Sequence, residues 1–163
     1  MKKGLSPIID ELSEILILGS LPGDESIKNQ KYYDNSRNQF WKIISYVFAN
    51  RYIDFKNYDE KITFLKEHHV ALWDVIESAD REGSLDNKIK NEKYNDLSSL
   101  LSKYNIKSIY VNGGKAEISL KKYIKLNKLD IEFVCLPSSS SLNTKLDTLG
   151  KAKVWKKEIN KRN

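Results

Sequence analysis

Four short apolar runs, each followed by turn residues and separated by helical patterns, leave this chain few ways to fold. They are Ile15 to Leu18, Val70 to Trp73, Ile106 to Val111 and Ile131 to Leu136. Each is rich in branched or aromatic residues and is punctuated by Gly, Pro, Asp or Asn, which reads as a strand. Three lack polar alternation, as strands covered on both faces do. Between them, Phe40, Ile44, Val47 and Phe48 fall at helical spacing. A second helix is predicted from about Tyr58 to Glu67. Asn95 or Asp96 caps a third carrying Leu97, Leu100, Leu101 and Tyr104. A fourth follows Gly113-Gly114. The last is predicted over 143–160, carrying Leu146, Leu149, Val154, Trp155 and Ile159, with Gly150 a candidate break. Strands alternating with helices require crossovers, hence an α/β fold with a parallel sheet and helices on both faces.

With 163 residues, a single domain spanning 1–163 is expected. A hydrophobic content of 40% with 10% aromatics is that of a globular chain. A single cysteine, Cys135, excludes an intramolecular disulfide framework and fits a reducing compartment. No apolar run approaches the roughly 18 residues of a membrane span. The N-terminal stretch has no apolar signal region. The expectation is a soluble, cytoplasmic monomer without a membrane role.

In parallel sheets ligands bind beyond the carboxyl ends of the strands. Those ends read Gly19-Ser20-Leu21-Pro22-Gly23, Asp74, Asn112-Gly113-Gly114 and Pro137-Ser138-Ser139-Ser140-Ser141. Small, polar and turn residues collect at this one edge. The first stretch is a candidate backbone cradle, because its glycines let main-chain amides approach a ligand closely. The segment Tyr32 to Trp41 offers stacking faces, amides and a cation where a helix begins. Aromatic faces stack on nucleobases and amides read their edges.

Other chemistries lack their residues. His68 and His69 precede the second strand, at the opposite edge. Cys135 reads as core, not as a nucleophile. With no Cys/His cluster a zinc site is not expected. No P-loop and no G-x-G-x-x-G occurs, which disfavours nucleoside triphosphate hydrolysis and dinucleotide redox chemistry. No cofactor and no metal are expected.

At these residues the chain resembles the hypoxanthine-DNA glycosylase branch of the uracil-DNA glycosylase superfamily. The resemblance runs in order through GSLPG, YYDNSRNQFW, ALWDVIESADREGSLD (Ala71 to Asp86), VNG (Val111 to Gly113) and LPSSSS (Leu136 to Ser141). It implies a three-layer α/β/α sandwich on a four-stranded parallel sheet. It also implies a monofunctional enzyme that hydrolyses the N-glycosidic bond of a deaminated base in DNA: hypoxanthine, and by extension uracil or xanthine. Ser20 and Leu21 stand where many members carry a polar water-positioning residue. By resemblance that role passes to Asn38, while Asn112 reads the base edge and Tyr33 or Phe40 stacks on the base. Gly19 and Ser20 would lie against the base. Pro22, Gly23, Pro137, Ser138, Ser139, Ser140 and Lys145 would meet the DNA backbone. Leu136 replaces a histidine found in the best-known uracil enzymes, and Leu142 is a candidate wedge. Arg81 and Glu82 read either as functional or as a surface ion pair.

Charge points the same way. There are 28 Lys+Arg against 22 Asp+Glu, a net +6. From Asn143 onward, seven basic residues face two acids, a net +5, which leaves the rest at +1. A basic end beside the serine loop suits phosphates, with the last helix's N-terminus adding to the site. Two other readings share the fold: a catalytically silent nucleic-acid-binding module, and a small-molecule nucleoside hydrolase. Retention of both Asn38 and Asn112 argues against the first, and the basic end against the second.

Overall fold

A computed structural model describes residues 1–163. In chain order the elements are β1 (Lys2–Lys3), β2 (Ile15–Gly19), α1 (Asp24–Asn29), α2 (Phe40–Ala49), α3 (Tyr58–Glu67), β3 (Val70–Asp74) and β4 (Ile76–Asp80). There follow β5 (Lys90–Tyr94), α4 (Leu97–Lys103), β6 (Ser108–Asn112), α5 (Gly114–Leu126), β7 (Val134–Leu136) and α6 (Thr148–Arg162). A short 3-10 turn spans Asp86–Lys88.

The main sheet has the order β3-β2-β6-β7, and every pairing is parallel. Strand β2 shows why. All five of its residues are buried, and alternate side chains enter opposite layers. Ile15 and Ile17 join Phe40, Ile43, Ile44, Leu65 and Trp155, from α2, α3 and α6. Leu16 and Leu18 join Leu97, Leu100, Ala116 and Leu120, from α4 and α5. Two apolar clusters on one sheet make the three-layer α/β/α sandwich expected from the pattern. Helix ends follow local chemistry: Asn57 caps α3 through Glu60 N–H at 2.9 Å. Asp96 caps α4 through Ser99 N–H at 3.1 Å. No helix is long and apolar enough to cross a membrane.

Three expectations change. The second sheet, with order β1-β4-β5, is antiparallel and was not legible as strands. Its β5 reads KNEKY, which carries almost no apolar signal. The last helix starts at Thr148, not near Asn143, because Asp147 caps it by accepting from Gly150 N–H at 2.7 Å. Gly150 therefore lies in the first turn and does not break the helix. Cys135 is exposed on edge strand β7 and is not core; partial burial of the sulfur and the nearby Glu117 still raise its thiol pKa.

Candidate active site

The carboxyl ends of β2, β3 and β6 open into a cavity of about 680 Å³. Its walls come from Gly19 to Ser26, Tyr32-Tyr33, Asn35, Arg37-Asn38, Asp74, Ser84 to Asn87, Asn112 and Ser138 to Asn143. Stretches that are distant in sequence converge here because the parallel strands all end on one edge.

Two amides are locked by one serine. Asn38 Oδ1 accepts from Phe40 N–H at 3.0 Å and from the Ser139 hydroxyl at 2.8 Å. Asn112 Oδ1 accepts from Ser139 N–H at 2.9 Å. A main-chain N–H can only donate, so both amides have a defined orientation. Asn112 Nδ2 donates to Ser139 Oγ at 2.8 Å and to the Tyr33 hydroxyl at 3.1 Å. A directional relay therefore runs from Asn112 through Ser139 to Asn38. Ser139 is buried, and its hydroxyl is spent on the two amides. The Asn38 amide nitrogen remains to serve the cavity.

Tyr33 occupies the middle. Its ring stacks on Phe40 with centroids 4.0 Å apart at 17°. Its φ is +53°, in the left-handed region, which bulky residues avoid. Burial first, and Asp74 second, push its phenol above the ordinary value. Phe40 is completely buried and lies under Tyr33, so it supports the stacking face without lining the cavity.

Gly19 keeps the floor open. A β carbon there would lie 2.5 Å from Asp74 Oδ1 and 3.2 Å from the Tyr33 hydroxyl. Gly113, at φ +93°, admits the serine loop, since a β carbon would meet Ser138 Cβ at 2.9 Å. Ser20 donates its hydroxyl to Asp86 at 2.8 Å, so it braces the first loop against the 3-10 turn.

The loops are held from behind. Arg81, buried at the end of β4, donates Nη1 to Leu21 O at 3.3 Å, Nη2 to Pro22 O, and Nε to Gly83 O at 3.0 Å. It clamps the Pro22-Gly23 wall and is no surface ion pair; Glu82 is exposed. Lys151 is fully buried and donates Nζ to Gln39 Oε1 and Ser140 O, both at 2.9 Å. Trp155 Nε1 donates to Pro137 O at 2.8 Å. Pro137 thus anchors the loop to α6 and does not line the cavity. Lys145 is exposed beyond the cavity lining, and Leu142 is exposed on its rim. The N-terminus of α6 is capped by the Asp147 carboxylate, which accepts from Gly150 N–H. His68 lies against Phe48, with centroids 4.8 Å apart, away from the cavity.

Sequence reasoning missed Asp74 as a cavity group, Ser139 as the pivot and Lys151 as a structural cation. Only the position of Asp74 at a strand's carboxyl end signalled it beforehand.

The uracil DNA glycosylase superfamily profile matches residues 7–162. A hypoxanthine DNA glycosylase from Methanosarcina acetivorans is 41% identical over 145 residues, covering 88% of this chain and 89% of the relative. Another, from Methanosarcina barkeri, is 41% identical over 116 residues, covering 71% and 73%. The solution NMR structure of a protein assigned as a uracil DNA glycosylase, also from Methanosarcina acetivorans, superposes with a TM-score of 0.77 at 36% identity. That superposition covers 96% of this chain and 97% of the other. A profile match over nearly the whole chain, carried on this fold and this cavity, places the chain in the uracil DNA glycosylase superfamily, as a DNA glycosylase that hydrolyses N-glycosyl bonds.

Proposed function

We propose that this chain removes hypoxanthine from DNA by hydrolysis and leaves an abasic site. The observation that carries the reading is the Asn112–Ser139–Asn38 relay, which turns two amides of fixed orientation toward one cavity. The relatives named above add the base, hypoxanthine.

A base inside a duplex must be extruded at a cost of a few kcal/mol, least where it is mispaired. The flipped base meets the cavity from its open side. The Asn112 N–H now held by the Tyr33 hydroxyl reads the base edge once Tyr33 gives way, and the Tyr33 ring is the available stacking face. Cleavage passes through a sugar with oxocarbenium character while negative charge gathers on the base. Amide donors aimed at that charge stabilise the transition state more than the substrate. Asn38 offers its amide nitrogen to the lone pair of a water on the far side of the sugar. In a strongly dissociative reaction, positioning matters more than deprotonation. No lysine lines the cavity, which favours water as nucleophile over an enzyme amine and hence a monofunctional reaction. Pro22-Gly23 on one wall and Ser138, Ser140 and Ser141 on the other flank the path of the DNA backbone.

The test is a labelled duplex with one deoxyinosine, incubated with protein and then heated in alkali. Strand cleavage at the lesion is expected. A parallel deoxyuridine duplex measures whether uracil is a second substrate. No cleavage of either duplex rejects the enzyme and leaves a silent DNA-binding module, which a gel-shift assay would detect.

A further inference from the structure

One group in the cavity wall has no part in the reaction above. Asp74 ends β3 opposite Gly19 of β2, and its carbonyl accepts from Asn95 Nδ2 at 2.8 Å, so its backbone is fixed. The residue is only 4% exposed. Its Oδ2 is enclosed without a hydrogen-bond partner. Its Oδ1 occupies the space that any side chain at position 19 would need. A buried anion with a bare oxygen is strongly disfavoured, whereas a neutral carboxylic acid carries an O–H in search of an acceptor.

The facing groups reinforce the neutral form. Asp86 faces Asp74 from the 3-10 turn, Arg81 from the end of β4, and the phenols of Tyr32 and Tyr33 from the loop before α2. Arg81 is committed to three carbonyls. Burial first and Asp86 second push the Asp74 carboxyl up to about 7, against the lowering effect of Arg81.

We propose that Asp74, as a neutral carboxylic acid, donates its proton to the leaving base. The proposal rests on the glycosylase reading above. As the bond from C1′ to N9 breaks, its electron pair passes to the base. The Asp74 proton passes to an accepting ring nitrogen, and hypoxanthine departs neutral. Water held at Asn38 forms the new C1′–O bond and releases its spare proton to solvent, from which Asp74 is reprotonated. An amide such as Asn112 stabilises the departing charge but cannot deliver a proton. Hypoxanthine keeps acceptor nitrogens on the rim of its ring system, so the acid also favours a purine of this kind.

Single-turnover release of hypoxanthine from a deoxyinosine duplex, followed from about pH 5.5 to 8.5, tests this in the wild type alone. The expected rate is level in acid and falls through about pH 7, approaching tenfold per pH unit above it. Asp74→Asn keeps a hydrogen-bond donor and loses the transferable proton. It should be roughly 100-fold slower at pH 6 and level across the range, with its DNA affinity preserved and a melting temperature no lower than that of wild type. A wild type that releases base with a level profile overturns the role of Asp74 while leaving the glycosylase standing. So does an Asp74→Asn protein that keeps the alkaline fall or the wild-type rate at pH 6. A wild type that releases no base at any pH overturns both.

Discussion

At the scale of single residues, the site depends on groups that hold other groups. Ser139 is buried, yet its hydroxyl and N–H set the direction of both amides. Ser139→Ala should lower single-turnover excision by about 100-fold, the size of losing one oriented donor. It should also cost about 1 kcal/mol in chemical denaturation, because the part-buried amides lose a hydrogen-bond partner. Asn38→Ala should abolish cleavage of the deoxyinosine duplex and leave DNA binding intact; unchanged activity would remove Asn38 from its role. Asn38 and Asn112 were legible in the sequence because their motifs surround them. The bond between Ser139 and Asn38 was not, since it joins residues 101 apart in the chain. Asp74 was hidden for a related reason: a strand-end aspartate reads as punctuation until its burial is known.

At the scale of elements, two cations act as brackets. Arg81 ties the small antiparallel sheet to the loop after β2, and Lys151 ties α6 to the serine loop and the start of α2. Arg81 read from sequence as functional or as part of a surface ion pair, and Lys151 as one charge of the basic end, because charge alone does not say which way a side chain faces. On α6, Lys151 shares the inward face with Ala152, Trp155 and Ile159. Lys151→Met should not weaken the salt dependence of DNA binding. It should instead lower stability, by about 1–3 kcal/mol if Ser140 O and Gln39 Oε1 are left unpaired, as read by urea denaturation. Helices α2 to α5 were legible in their apolar spacing and caps. The start of α6 was not, because leucines at 146 and 149 continue the helical period across its first residue.

At the scale of the whole molecule, charge and pH report on the fold. Lys145 and Lys153 are exposed, so changing both to Gln should reduce the salt slope of DNA binding by up to about 2, at roughly 0.9 for each phosphate no longer neutralised. An unchanged slope would make the basic end a solubility feature. The raised Asp74 pKa, about 7 against roughly 3.9 in an unfolded chain, has a defined sign. The folded state keeps a proton that the unfolded state loses, so this contribution is full below about pH 4 and lost as pH rises through about 7. Asp74→Asn should therefore melt progressively higher relative to wild type as pH is raised from about 4 to about 8, starting from equal melting temperatures in acid. The sequence by itself determined the parallel sheet, its covered faces and the edge where small and polar residues gather, because strand and helix periodicity are local properties. Only the tertiary structure decided which amides share a serine, which lysine is buried and which carboxyl stands in the cavity. Those outcomes depend on contacts between residues far apart in the chain, and on burial that no local spacing encodes.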